Sequence, residues 1–190
     1  MSLTQLDLMN TALVKLGAYK TTALNDGSTE ADIAGTLYAP VRDAVLTAHP
    51  WNFATVSVTL AAPSVTPPVA DYTYAFDLPA DHLRTLSVGA NGTSAGVMFR
   101  QIQNRIETDE PTIILTYIAR GAEADQPPFF DMLLINRLAA EICLPLTENA
   151  ARAEVFYKLY DRDLTLARTI DAMQETPRSL ENFTLINARG

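Results

Sequence analysis

With 190 residues, 48% of them hydrophobic, the chain holds enough apolar material for one packed domain, or for one domain with a sizeable insertion. Its formal net charge of −8 argues against a general nucleic-acid binder, because such binding depends mainly on Lys and Arg neutralising phosphates. The single cysteine, Cys143, excludes an intramolecular disulfide and a cysteine-based zinc site. The sequence shows neither a signal peptide nor a run of ~20 apolar residues, so we expect folding in a cytosol and no membrane partner.

Two helices are predicted in the first quarter of the chain. Residues 4–16 carry apolar side chains at three- and four-residue steps, and Thr4 with Asp7 three positions later is typical of a helix N-terminus. A second helix is expected to start with Ser28 or Thr29 as its cap. Pro50 is expected to stop it, because proline has no backbone N–H to donate.

The spacing changes to alternation between about Trp51 and Arg120, which is typical of half-buried strands. Three prolines within residues 61–70 favour a long loop, and a turn is expected at residues 108–111. The alternating runs lie at residues 56–60, 72–78, 83–88, 97–102 and 112–118. Together they predict one small antiparallel sheet.

Two further helices are predicted after the sheet. Residues 127–145 are apolar around much of the helix circumference, which predicts burial on more than one side, and the helix is expected to end near Pro145. Residues 150–173 form the longest predicted helix. Its acidic and basic side chains balance, which is typical of a solvated or protein-facing surface rather than of a DNA-binding stripe.

The periodicity fades from Gln174 onward, where a polar segment carries the spaced apolar residues Leu180, Phe183, Leu185 and Ile186. Such a tail is typical of a segment that orders on a partner, and the alternative is a tail folded against its own domain. The predicted fold class is α+β. Residues 1–50 and 121–173 are expected to form a four-helix bundle, residues 51–120 an inserted small antiparallel β-sheet, and residues 174–190 an extended tail.

No residue pattern for catalysis stands out. The sequence holds no nucleophile elbow, phosphate-binding loop or dinucleotide fingerprint, and His49 and His82 lie in no metal-binding spacing. We therefore expect no catalytic, cofactor-binding or metal-binding residue, and no enzyme. Glycan hydrolysis remains an alternative because it needs two carboxyl groups flanking one bond. The acidic side chains in predicted turns are Asp77, Asp81, Glu107, Asp109 and Glu110.

The most informative segment is His49-Pro50-Trp51-Asn52-Phe53-Ala54, which holds the only tryptophan and lies where helix gives way to strand. Two longer segments flank it: Tyr38-Ala39-Pro40-Val41-Arg42-Asp43-Ala44-Val45-Leu46 and Tyr74-Ala75-Phe76-Asp77-Leu78-Pro79-Ala80-Asp81-His82-Leu83-Arg84. The order and spacing of these segments resemble the head–tail adaptor (tail tubular protein A) family of tailed bacteriophages and gene-transfer particles. Shorter matching pieces are Lys15-Leu16-Gly17, Glu107-Thr108-Asp109, Leu115-Thr116-Tyr117-Ile118, Arg137-Leu138-Ala139-Ala140-Glu141-Ile142-Cys143 and Ala188-Arg189.

The resemblance implies a virion structural protein, made in the bacterial host cytoplasm and located at the head–tail junction. Such adaptors form a ring, commonly twelvefold, under the portal protein; they extend the DNA channel, through which DNA passes without specific binding, and dock a tail or neck protein. The alternatives are a virion-associated glycan hydrolase using the turn carboxylates, or another head-completion or neck protein.

Three sets of residues acquire expected roles from this resemblance. The C-terminal segment of the chain, residues 174–190, is expected to bind the portal through Leu180, Phe183, Leu185 and Ile186. Neighbouring subunits are expected to meet at the charged surface formed by Arg152, Lys158, Asp161 and Arg162. A structural junction is expected at Pro50, Trp51 and Phe53.

Overall fold

The computed structural model describes residues 3–174. Its helices are α1 (Gln5–Lys15), α2 (Thr29–Thr47), α3 (Pro128–Thr147) and α4 (Ala150–Ala172). Its strands are β1 (Thr55–Leu60), β2 (Tyr74–Asp77), β3 (His82–Gly89), β4 (Arg100–Ile102), β5 (Arg105–Thr108) and β6 (Ile113–Ala119). Short 3-10 helices lie at Asn52–Ala54 and Glu123–Asp125.

The first two helices begin at their predicted caps. The Thr4 hydroxyl accepts the backbone N–H of Asp7 at 3.2 Å, and the Asp7 carboxylate accepts the backbone N–H of Thr4 at 3.0 Å. This reciprocal pair satisfies two donors that a helix start otherwise leaves open, so the predicted capping box is confirmed. Ser28 caps α2, its hydroxyl accepting the N–H of Ala31 at 3.2 Å.

Helix α3 is the centre of the helical part. Most of its residues are buried, and it packs against α1, α2 and α4, so the predicted burial on more than one side is confirmed. The helix continues through Pro145 and ends at Thr147, two residues past Pro145, near which it was predicted to end. A proline removes one hydrogen-bond donor, and here this does not stop the last turn. Glu148, in the left-handed conformation (φ 51°), ends the helix and donates its N–H to the Leu144 carbonyl at 3.0 Å.

The strands form two antiparallel three-stranded sheets. In the first sheet β6 lies between β1 and β3, and the β1 register runs from Thr55 opposite Ile118 to Leu60 opposite Ile113. In the second sheet β5 lies between β2 and β4. The buried residues of the two sheets form a second core, separate from the helical one: Phe76, Leu78, Val88, Ile106, Ile113, Leu115, Tyr117 and Ala119.

The prediction of a four-helix bundle carrying one inserted sheet is therefore wrong, although the fold is α+β. The helices gather around α3, and the strands divide between two sheets. The prediction missed β5. A tight turn at Gln103 and Asn104, with Gln103 at φ 52°, reverses the chain between β4 and β5 without the glycine or proline that marks most such turns. Thr108 was expected to open a turn, but it ends β5 and is buried.

Candidate functional site

The segment between α2 and β1 makes aromatic and hydrogen-bond contacts with three of the helices. Trp51 is fully buried in the helical core, and its indole N–H donates to the Val45 carbonyl at 3.1 Å. Its ring meets His49 edge-on at 4.7 Å and Phe130 edge-on at 5.4 Å between centroids. Phe53, which is half-buried, adds an edge-on contact with Phe130 at 4.9 Å. Because Phe130 lies in the first turn of α3, this aromatic group holds the end of α2 against the start of α3.

Pro50, the remaining residue of the predicted junction, is exposed and lies outside both neighbouring helices. Helix α2 ends three residues earlier, at Thr47, so Pro50 follows the helix rather than stopping it directly. The structure thus brings Trp51 and Phe53 together in one buried group and places Pro50 on the surface beside it.

The same segment is tied to the end of α4 by Asp171, whose side chain is 3% exposed. Both Asp171 carboxylate oxygens accept the backbone N–H of Asn52, at 3.1 and 3.2 Å, and the Asn52 side-chain amide donates to the Asp171 carbonyl at 2.8 Å. The His49 Nε2 lies 3.4 Å from the Asp171 carboxylate. Desolvation lowers the pKa of His49 despite this neighbour. We call these residues (His49, Asn52 and Asp171) the α4 clamp.

A second group of polar contacts joins α2 to the segment that follows β6. The Arg42 guanidinium pairs with the Glu123 carboxylate at 3.0 Å and also donates to the Gly121 carbonyl. The Tyr38 hydroxyl donates to Glu123 at 3.2 Å. Burial, with the Glu123 charge as a smaller cause, raises the pKa of Tyr38, so the phenol stays protonated as the donor. The hydrogen bonds of the buried Arg42 side chain and of the partly exposed Glu123 carboxylate give this contact a defined geometry.

Two further arginines connect the first sheet to α2 at the surface. The Arg120 guanidinium, just after β6, donates to the Asp43 carboxylate at 2.9 Å. The Arg84 guanidinium, in β3, donates to the Thr47 carbonyl at 2.9 Å. The C-terminal half of α2 is therefore joined by polar contacts to β3 and to the segment that follows β6.

The predicted inter-subunit residues lie on α4, but not all of them point away from the chain. Lys158 and Arg162 are exposed, and within residues 3–174 they pair only with acidic residues of α4 itself, Glu154 at 2.8 Å and Asp163 at 3.0 Å. Arg152 instead donates to the Lys15 carbonyl at 3.2 Å, so it helps hold α1 against α4. Apart from alanines, the exposed residues of α4 are Arg152, Glu154, Val155, Lys158, Asp161, Arg162, Thr165, Leu166, Arg168 and Thr169.

Two large apolar side chains share the outer surface of α4 with these charges. Val155 is 56% exposed and Leu166 is 59% exposed, and their spacing of three helical turns places them on one face. Leu166 therefore lies on the solvent side of the helix. Ala167, the residue after it, faces the core instead. The outer face of α4 (Val155, Lys158, Asp161, Arg162 and Leu166) is thus apolar and charged together, as the contact surfaces of proteins often are.

Four of the turn carboxylates considered for glycan hydrolysis have a partner within the chain. Asp77 pairs with Arg105 at 2.9 Å, and Glu107 pairs with Arg100 at 2.7 Å. The Asp81 carboxylate accepts the Tyr117 hydroxyl at 3.1 Å, and the Asp109 carboxylate accepts the backbone N–H of Thr73 at 3.0 Å. Two of these contacts, Asp77 with Arg105 and Asp109 with Thr73, fasten β2 and the loop before it to β5 and the turn after it.

Within residues 3–174, no three His, Cys, Asp or Glu side chains are grouped so that they could hold a metal ion. None of the helices described there has the length and apolar character needed to cross a membrane. Cys143 is buried, as its apolar context predicted.

The predicted portal-binding residues Leu180, Phe183, Leu185 and Ile186 lie outside the described residues. No protein-family model and no curated protein matches the chain.

Proposed function

We propose that this chain is a head–tail adaptor of a tailed bacteriophage or gene-transfer particle. In this role it forms a ring beneath the portal, extends the channel through which DNA passes, and presents a docking surface to the next tail or neck protein. The proposal begins from the sequence resemblance. It is supported by one structural observation: the segments that carry the resemblance meet at one joint.

Three of the resembling segments, residues 38–46, 49–54 and 74–84, contribute to that joint. The first supplies Arg42 and Asp43, which bind the chain after β6; the second supplies Trp51, the centre of the aromatic group; and the third supplies Arg84, which binds the end of α2. These residues connect helices to a sheet by buried packing and satisfied polar contacts. A ring subunit needs this kind of frame, because it must hold two contact surfaces in a constant relation.

The outer face of α4 is the surface that best suits contact between neighbouring subunits. It combines exposed Val155 and Leu166 with exposed Lys158 and Arg162, and Lys158 pairs with Glu154, which is exposed as well. Surface ion pairs of this kind contribute little to folding, so their arrangement is free to serve association. A ring requires a head-to-tail contact, in which this face meets a different surface of the next copy.

The net charge of the chain is compatible with a channel for DNA. With 22 acidic and 14 basic residues, the protein lacks the excess of Lys and Arg that would hold phosphates tightly. DNA that must slide through a conduit moves more freely when the walls do not bind it.

The direct test is to mix the purified chain with the portal ring encoded nearby in the same genome. Negative-stain microscopy and native mass spectrometry should show a closed second ring with one copy of this chain per portal subunit. A chain that stays separate from the portal at all concentrations would overturn the adaptor proposal, and a panel of glycan substrates would then be the next assay.

Matched variants locate the contacts. Lys158→Glu should prevent ring closure on the portal with little change in the thermal midpoint, because Lys158 and its partner Glu154 are both exposed. Lys20→Glu makes the same change of charge at an exposed site away from α4 and should leave ring closure intact. Equal effects of the two variants would point to net charge rather than to the α4 face.

The tail assignment has a separate test. Alanine substitutions at Phe183 and Ile186 should weaken portal binding if the apolar residues of residues 174–190 provide that contact. Unchanged portal binding in both variants would refute the tail assignment and leave the rest of the adaptor proposal standing.

A further inference from the structure

Strand β1 is an edge strand whose sequence lacks the residues that normally prevent an edge from pairing with another strand. Among residues 3–174 it lies at the outside of the first sheet and pairs with β6 alone. Its sequence, Thr55-Val56-Ser57-Val58-Thr59-Leu60, contains no charge, no proline and no glycine. Exposed edges normally carry such residues because unpaired backbone groups otherwise bind another strand. The neutrality extends beyond the strand, since residues 44–70 contain no Asp, Glu, Lys or Arg.

The other sheet edges are covered or short. The edge of β3 is covered by the loop that follows it: the Val97 N–H donates to the Val88 carbonyl at 3.2 Å, and the Ser87 hydroxyl donates to the Ser94 carbonyl at 2.7 Å. On β2, the Ala75 carbonyl accepts an N–H from the long loop before it, at 2.6 Å. Strand β4 has three residues. Within residues 3–174, the segment 56–60 makes no backbone hydrogen bond outside its ladder with β6.

The sequence of β1 is also complementary to itself. Residues 55–59 are the same in both directions, so an antiparallel copy centred on Ser57 places Thr55 opposite Thr59 and Val56 opposite Val58. Because side chains alternate between faces, hydroxyls then meet hydroxyls on one face and valines meet valines on the other. The sheet already contains one such match, since the Ser57 and Thr116 hydroxyls lie 2.9 Å apart across β1 and β6.

We propose that β1 pairs antiparallel with β1 of a second copy, joining the first sheets of both copies into one continuous sheet. We choose a second copy as the partner because the β1 edge has no charged side chain. Two copies of a chain with a net charge of −8 would repel each other at most other surfaces. The pairing is two-fold and cannot close into a ring, so it belongs to the free chain and is independent of the adaptor role. A contact of one short strand is small, so the dimer is weak and depends on concentration.

Cysteine cross-linking tests both the contact and its register. In a Cys143→Ser background, Ser57→Cys places two thiols directly opposite each other, at a Cα separation of about 4.5–5.5 Å, which a disulfide spans. Thr59→Cys is the matched control on the same strand and face. Its two thiols would be about 14 Å apart in the centred register, since four residues of strand separate them.

Under mild oxidation, Ser57→Cys is expected to form covalent dimers at least tenfold faster than Thr59→Cys. Thr116→Cys, on the same face but one strand inward, should also be slow. Equal rates for Ser57→Cys and either control overturn the proposal. That result includes the case in which residues 175–190 of the same chain, or another protein, occupy the edge and keep the copies apart.

Sedimentation of the unmodified chain provides an independent measurement. The weight-average mass of the wild type should rise with concentration, and Thr59→Lys should abolish the rise, because it places a charge on each side of the two-fold pair. Thr59 is exposed, so circular dichroism should show an unchanged fold. A wild-type mass that stays at the monomer value across the series also overturns the proposal. Thr59→Lys should still assemble on the portal, which separates this inference from the proposed function.

Discussion

Replacement of Trp51 measures how much of the fold depends on the junction between helices and sheet. Its side chain is fully buried and contacts the rings of His49 and Phe53, its neighbours in sequence, and of Phe130 in α3. Truncating a buried aromatic to alanine costs about 3–5 kcal/mol, through lost transfer free energy and the cavity left behind. Domains have a total stability of about 5–15 kcal/mol, so Trp51→Ala should remove a large part of it.

Trp51→Phe separates the ring from its hydrogen bond. The variant loses the indole N–H, but the Val45 carbonyl keeps the N–H of Ala48 at 3.3 Å. Only one of two bonds is lost, at a cost of about 1 kcal/mol, and the smaller ring leaves a void that costs roughly 1 kcal/mol more. We therefore expect a loss of about 2 kcal/mol, between the wild type and Trp51→Ala.

Urea unfolding followed by far-UV circular dichroism is the suitable assay, because both variants lack the only tryptophan fluorophore. Tyr19→Ala serves as the control: Tyr19 is 86% exposed, so its removal should change the free energy of unfolding by less than about 0.5 kcal/mol. A loss below about 1 kcal/mol for Trp51→Ala, or a loss in Tyr19→Ala of the same size, would refute the reasoning.

Two further predictions concern a close contact and a buried acid. A Cβ added at Gly89 would lie 2.6 Å from the backbone nitrogen of Ala95, so Gly89→Ala should cost about 1–3 kcal/mol in urea unfolding. Gly121→Ala, which enters open space, should be neutral, and a neutral Gly89→Ala would contradict the packing of the loop on β3. Burial raises the pKa of Asp131 to about 6, so the folded state binds more protons than the unfolded state between about pH 4 and 6, and stability falls as the pH rises through that window. Asp131→Asn should therefore stabilise the protein at pH 7 by about 1 kcal/mol. This is less than the free energy equivalent to the pKa shift, because the start of α3 favours an anion. The gain should vanish at pH 4. Asp7→Asn should instead lower the stability at pH 7, since hydrogen bonds from Thr4 lower the pKa of Asp7. A loss of stability in Asp131→Asn at pH 7 would contradict the prediction, because it would show that the surroundings stabilise the Asp131 carboxylate.

The parts of the fold that depend on neighbours in sequence were predictable. The Thr4 and Asp7 capping box and the Ser28 cap were predicted from residues three positions apart, and both are observed. The helix predicted at residues 150–173 is α4, which ends one residue earlier. In each case the hydrogen bonds that define the boundary join residues within one turn, so the sequence alone contains the information.

The division of the strands was not predictable in the same way. Sheet membership depends on which strands pair, and β6 pairs with both β1 and β3 across a wide sequence separation. The turn at Gln103 takes a left-handed conformation with a residue type that seldom adopts it, so no local signal marked the hairpin that forms the second sheet. The contact of Asp171 with Asn52, 119 residues apart, was missed for the same reason.

The α4 clamp explains why a short segment matters for two surfaces at once. Asn52 begins the 3-10 helix that leads into β1, and its backbone N–H is satisfied by Asp171, one residue before the end of α4. Any displacement of α4 would leave that donor and a buried carboxylate without their bonds, which costs more than the bonds contribute when made. The outer face of α4 and the exposed edge of β1 are therefore held in one frame by the clamp. A partner that binds one surface meets a protein in which the other is already positioned.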